Sequence, residues 1–361
     1  MPEITGTCLC GHAAYRLDTK ERLNTHICHC NRCRRISGVF SVTTVDLPKT
    51  SAPDHQCIQR LTAYQSSPGY TRYFCPTCGC HVFEQDDRFD EWRVLQGTLN
   101  KPEDVASIRA HMFIKDTRDG GSSDWLTHIS GDKIKRWDGF PGKSAEVPDG
   151  WHATETDQRG QGPVHAHCDC KGVSFYISRP SAVSEETDGP YPDVLLAHYI
   201  IDRPQREKWW LRTNGTGRTK FLAGVCVCDS CRLATGSEIQ HWAFVPTANI
   251  SLTEDGSVPF SRSLGTLKSY RSSKEATRHF CGTCGATVFW DGDARPTLID
   301  VSVGLLDAPE GARAESLLEW SRERVSFRED GVKRTPAFTT ALEAGLTAWV
   351  SSQEHASDSA E

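Results

Sequence analysis

Seven cysteines occur twice along the chain in the same order, and this repetition limits the possible folds more than any other feature of the sequence. Cys8-Leu9-Cys10-Gly11 matches Cys168-Asp169-Cys170-Lys171-Gly172. Cys28-x-Cys30-x-x-Cys33-Arg34 matches Cys226-x-Cys228-x-x-Cys231-Arg232, and each is followed by a hydroxyl residue and a glycine, Ser37-Gly38 and Thr235-Gly236. The longest match sets YQSSPGYTRYFCPTCGCHVFE from Tyr64 against YRSSKEATRHFCGTCGATVFW from Tyr270, and so contains Cys75-x-x-Cys78 and Cys281-x-x-Cys284. The 361 residues therefore read as two copies of one module.

Apolar alternation predicts strands after each opening motif, at His12 to Leu17 and Val173 to Ser178. It predicts further strands at Val94 to Leu99, His241 to Ile250 and Leu298 to Leu305. The expected fold class is mainly β: a tandem duplication of a small zinc-binding β module, with a short C-terminal helix. The first module is placed at residues 1–140, a Gly-, Pro- and polar-rich linker at 141–163, and the second module at 164–335. Residues 336–361 are expected to hold the helix, Phe338 to Val350, and a disordered acidic tail. Cys10 and Cys28 lie 18 positions apart, whereas Cys170 and Cys226 lie 56 apart. The second copy thus carries about 38 extra residues, at about 180–220, including His198, Trp209 and Trp210. An insertion of that length either covers or shapes a site or simply elaborates the surface.

The N-terminus lacks the basic start and apolar run of a secretory signal, and no stretch approaches the length of a membrane span. A cytoplasmic location follows as the expectation. In a reducing compartment, clustered cysteines read as metal ligands rather than disulfides, and cysteines only one or two residues apart bridge each other poorly. A net charge of -6 argues against a partner bound through nucleic-acid phosphates.

Seven thiolates divide into four and three. A structural zinc site closes with four ligands, while a catalytic one keeps a position open. The C-x-C-x-x-C run is a local claw and supplies the three. The distant C-x-C and C-x-x-C pairs are left to close a four-thiolate site, worth on the order of 10 kcal/mol of folding energy in small zinc modules. Two zinc ions per module, four per chain, are expected. His26 and His29 align with Gly224 and Val227, which excludes a ligand role common to both copies. Cys57 and Cys80 have no counterpart in the second copy and are read as non-ligands. Arg34, Arg35 and Arg232 either draw in an anionic substrate and balance the thiolates or are ordinary surface arginines. Asp46, His111, His241 and His279 lie near the motifs without an assigned role.

The C-x-C-G opening, the C-x-C-x-x-C-R-x-x-[ST]-G centre and the F-C-x-x-C-G close resemble the glutathione-dependent formaldehyde-activating enzyme family, which also includes centromere protein V. The resemblance implies structural zinc on Cys8, Cys10, Cys75 and Cys78, and on Cys168, Cys170, Cys281 and Cys284. It implies catalytic zinc on Cys28, Cys30 and Cys33, and on Cys226, Cys228 and Cys231. It further implies a carbon–sulfur lyase that takes a glutathione-type thiol or thiol adduct as its small-molecule partner. Lys171, the insertion and the tandem arrangement depart from the single-module archetype and bear on the substrate pocket more than on the ligands. Two alternatives stand beside the lyase. One is a non-enzymatic zinc scaffold for protein interaction, presenting Trp209, Trp210 and Trp242 as exposed aromatics. The other is a zinc enzyme for dehydration or cyclisation of a small metabolite.

Overall fold

The alternating segments of both modules assemble into two sheets with the same strand order. A computed structural model describes residues 4–17, 19, 22–153, 160, 162–200, 208–213 and 219–358. The first module contains β1 (Leu23–Cys28), α1 (Asn31–Ser37), β2 (Val42–Leu47), β3 (Thr62–Ser67), β4 (Tyr70–Phe74), β5 (His81–Asp86), β6 (Glu91–Leu95) and β7 (Ala106–Met112). The second contains β8 (Thr219–Cys226), α2 (Asp229–Thr235), β9 (Gln240–Pro246), β10 (Leu267–Arg271), β11 (Ala276–Cys281), β12 (Thr287–Gly292), β13 (Leu298–Ser302) and β14 (Leu318–Trp320). The orders are β7-β1-β2-β6-β5-β4-β3 and, with β14 beside β8, β8-β9-β13-β12-β11-β10. In each sheet one strand joins the first in parallel, β7 on β1 and β14 on β8. The opening motifs lie on separate small sheets, with Tyr15–Leu17 paired to Ile4–Gly6 and Ser174–Ile177 paired to Val164–His167.

The predicted strands exist but are shorter than the alternation suggested. Val94–Leu99 leaves the sheet at Leu95 and turns through a single 3-10 turn, Gln96–Thr98. Leu298–Leu305 does the same at Ser302, with Val303–Leu305 as the turn. These two turns are among the contact points between the modules. The carbonyl of Gly38, which caps α1, accepts from the Gly304 N–H at 3.2 Å. The carbonyl of Gly236, which caps α2, accepts from the Gly97 N–H at 2.9 Å. Each helix therefore docks on the other module's turn, an isologous contact made within one chain. The largest apolar cluster draws on both modules, from Ile27, Phe40 and Trp125 to Phe221, Val301 and Trp320, so the halves share a core.

The C-terminal helix, α3 (Pro336–Asp358), is longer than Phe338 to Val350 and extends as far as Asp358 into the stretch expected to be a disordered tail, the rest of which, 359–361, lies outside the described residues. Phe338, Leu342 and Leu346 recur every four residues and are buried, the spacing of a helix with one apolar face. Gly345 passes so close to Trp125 that a Cβ there would stand 1.7 Å from the Trp125 carbonyl oxygen. Beyond Leu346 no glycine or proline interrupts the chain before Asp358, so nothing local stops the helix. No helix among the described residues is long and apolar enough to cross a membrane.

Candidate metal centres and the cavity beside the second

All sixteen cysteines are free thiols. The structure brings Cys8 and Cys10 together with Cys75 and Cys78, and Cys168 and Cys170 together with Cys281 and Cys284, each set with its sulfurs within 4.8 Å of one another. Cys10 Sγ is 3.5 Å from Cys8 and from Cys75, and Cys170 Sγ is 3.5 Å from Cys168 and from Cys281. Four sulfurs bound tetrahedrally to one zinc at 2.3 Å stand about 3.8 Å apart, so the donor set fits that ion. Backbone N–H groups point at these sulfurs, from Ala13 to Cys8 and from Val173 to Cys168, both at 3.3 Å. Such donors favour thiolate over thiol. The turn that follows each C-x-C needs a left-handed residue, which is Gly11 in the first module and Lys171 in the second, at φ 78° and 57°.

The triple motifs fold as expected of a local claw. Cys30 is the N-cap of α1, and its Sγ accepts the Cys33 N–H at 3.2 Å; Cys228 caps α2 and receives the Cys231 N–H in the same way, also at 3.2 Å. Cys28, Cys30 and Cys33 bring their sulfurs within 4.8 Å of one another, as do Cys226, Cys228 and Cys231. Each trio can hold a metal ion with three thiolates. Hydrogen bonds from Cys28 and Cys30, followed by the Arg72 guanidinium, pull the Cys33 thiol well below its usual range. Cys226 and Cys228, followed by Arg278, do the same for Cys231.

Those two arginines were not picked out from the sequence. Arg72 Nη2 is 3.1 Å from Cys33 Sγ, and Arg278 Nη2 is 3.5 Å from Cys231 Sγ. The signal was present, because Thr-Arg-x-Phe-Cys is common to both copies. Arg34, Arg35 and Arg232, favoured by adjacency to the cysteines, turn away. Arg34 is buried and bonds Asn31 at 2.6 Å. Arg35 reaches Asp307 of the other module at 2.6 Å, and Arg232 donates to the carbonyls of Gly97 and Leu99 at 2.6 and 3.2 Å. Arg35 and Arg232 tie the modules together, Arg34 braces its own helix, and none of the three is a plain surface residue or bonds a thiolate.

Other residues fall as follows. His26 faces Asp46 at 3.4 Å, away from the thiolates. His29 is buried and donates from Nε2 to His111 Nδ1 at 2.9 Å, since His111 Nε2 in turn donates to the Leu126 carbonyl at 2.7 Å. Cys57 and Cys80 belong to the apolar core of the first module. His279 meets Ser269 at 3.0 Å. Trp209, Trp210 and Trp242 are 2%, 2% and 4% exposed, which overturns the reading of them as exposed aromatics. Trp209 and Trp210 anchor the insertion by packing with Val194, Leu222, Phe244 and Leu298.

Beside Cys226, Cys228 and Cys231 opens a cavity of about 680 Å³, within the range of small-molecule sites. Trp242, Phe244 and Trp290 form its apolar wall, and Tyr191, Val194 and His198 of the insertion close one side. The insertion therefore shapes this site; residues 201–207 and 214–218 of it lie outside the described residues. Arg278 Nε and Nη1 are buried there without a hydrogen-bond partner among the described residues. Asp300 stands 2.8 Å from Arg295, and burial pushes its carboxyl up to about 6.

A family model, glutathione-dependent formaldehyde-activating enzyme, matches the chain over residues 3–116 and again over 212–321. The second match begins after Cys168 and Cys170, where the insertion separates them from the rest of the module. No curated protein and no solved structure matches the chain. With more than half its length matched, twice over, and with the sulfur clusters of each module assembled as the motifs require, the chain belongs to the glutathione-dependent formaldehyde-activating enzyme family.

Proposed function

We propose that this chain is a zinc enzyme that makes or breaks a carbon–sulfur bond in the adduct of a thiol with a small electrophile. Four zinc ions are assigned per chain. Those on Cys8, Cys10, Cys75 and Cys78 and on Cys168, Cys170, Cys281 and Cys284 hold the fold; those on Cys28, Cys30 and Cys33 and on Cys226, Cys228 and Cys231 are the three-thiolate sites, of which the one beside the cavity carries the reaction. The observation that carries the reading is the three-sulfur cluster between the end of β8 and the first turn of α2, which offers one thiolate fewer than zinc's usual four and adjoins a cavity. Zinc, when bound there, lowers the pKa of an incoming thiol so that it binds as thiolate. Arg278 offsets the negative charge of the three cysteine sulfurs. Trp242 and Trp290 exclude water from the sulfur's approach to the electrophilic carbon. In the addition direction a carbon–sulfur bond forms, the carbonyl π pair moves to oxygen, and oxygen takes up the proton that the thiol released. Elimination is the reverse.

The scaffold alternative loses one of its two motives, since the tryptophans that suggested it are internal, and keeps only the tandem arrangement. The test is Cys228→Ser in the full chain. It is expected to remove about one zinc in four and to reduce turnover of S-hydroxymethyl thiol adducts by at least about 100-fold. Turnover at the wild-type rate would contradict the proposal.

A further inference from the structure

The two modules are alike in fold but not in what surrounds their three-sulfur clusters. Strand register pairs the residues around one cluster with those around the other. Tyr70, Glu84, Arg93, Asp46 and His26 of the first module correspond to Ala276, Trp290, Asp300, Phe244 and Gly224 of the second.

In the first module these side chains interlock. Arg72 pairs with Glu84 through Nη1, and both are buried. Glu84 also accepts from the Tyr70 hydroxyl at 2.7 Å, and Arg93 links Tyr70 at 3.1 Å to Asp46 at 2.9 Å. In the second module every counterpart lines the cavity. Arg278 keeps its bond toward Cys231, but the carboxylate that Arg72 receives from Glu84 is gone, because Trp290 stands at that register position. Two guanidinium nitrogens are left buried and unmatched, a costly arrangement that a ligand carboxylate would relieve.

Resting on the reading above, we propose that the second module is the one that admits substrate, and that the substrate is a thiol bearing both a carboxylate and an apolar or aromatic body. The carboxylate takes on Arg278 the place that Glu84 takes on Arg72. The apolar body lies against Trp242, Phe244 and Trp290. The first module's cluster is closed by its own side chains, which act as a built-in occupant of the equivalent space.

Three probes separate the parts of this proposal in zinc-loaded full-length protein: 2-mercapto-3-phenylpropanoate, mercaptoacetate, which lacks the ring, and 2-phenylethanethiol, which lacks the carboxylate. Quenching of tryptophan fluorescence and calorimetry report affinity and stoichiometry. The expected result is one equivalent of 2-mercapto-3-phenylpropanoate per chain, bound at least about tenfold more tightly than either partial probe. Arg278→Gln should weaken the two carboxylate probes by about tenfold or more beyond whatever loss 2-phenylethanethiol shows, since that probe shares the sulfur contact but has no carboxylate. The double substitution Ala276→Tyr with Trp290→Glu copies the first module's Tyr70–Glu84 pair into the second. It should abolish binding of all three probes with four zinc ions retained. Two equivalents per chain, or unchanged binding in the double variant, would overturn this inference and leave the thiol enzyme standing. Failure of every thiol to bind would overturn both.

Discussion

His241 lies between the modules, packed against Phe40, Trp125 and Trp320 at ring-centroid distances of 5.0, 5.8 and 6.0 Å. Neither of its nitrogens has a hydrogen-bond partner among the described residues. Burial lowers its pKa from 6.5 to about 3, and burial likewise lowers His111 to about 4. Below pH 6.5 the unfolded chain takes up protons at these positions and the folded chain does not. Stability is therefore full above that pH and is lost as pH falls through the window, by up to about 1.4 kcal/mol per pH unit for each histidine. His241→Phe removes one of these groups. Between pH 7.5 and pH 5 the variant is expected to lose about 2 kcal/mol less stability than the wild type, as read by urea denaturation at both pH values. An identical loss in the two proteins would contradict this assignment. At this scale the sequence marks the sulfur ligands well, because chemistry demands their local spacing. It marks Arg72 and Arg278 poorly, because nothing short-range separates an arginine aimed at a thiolate from one aimed at a neighbouring strand.

Two helices of seven residues carry the triple motifs, and both begin with a cysteine cap and end on a glycine. Such short helices have little stability of their own and depend on what they dock against. Gly38 shows how tightly α1 is docked. It has φ 79°, and a Cβ there would stand 1.9 Å from the Thr287 carbonyl oxygen of the other module. Gly11 has nearly the same backbone, φ 78°, with no atom within 4 Å of such a Cβ. Gly38→Ala is thus expected to cost more than about 3 kcal/mol, and Gly11→Ala only about 1 kcal/mol. Equal shifts in their denaturation midpoints would contradict the docking described. The repeated Ser/Thr-Gly after each triple motif signals a helix end. The partner of that glycine, about 250 residues away, could not be read from any local pattern. Strand ends were misplaced for a similar reason: Val94–Leu99 leaves the sheet for a turn, Gln96–Thr98, that is buried because the other module docks on it.

For the molecule as a whole, duplication was followed by divergence inside a shared core. The long match around Cys75 and Cys281 exposes the duplication directly in the sequence. The divergence is also written there, as Glu84 against Trp290 and Tyr70 against Ala276, but its meaning needs the register that sets these residues around a thiolate cluster. The insertion follows the same rule. Its length suggests a role, and only packing shows that Trp209 and Trp210 hold it while Tyr191 and Val194 face the cavity. Fold and proposed chemistry both depend on seven sulfurs per module arranged as a closed set of four and an open set of three. Counting zinc per chain by native mass spectrometry, together with sulfurs per zinc by X-ray absorption, tests this most directly. Four zinc ions with an average of about 3.5 sulfurs each are expected. Two ions with four sulfurs each, or cysteines joined as disulfides with no metal, would contradict it.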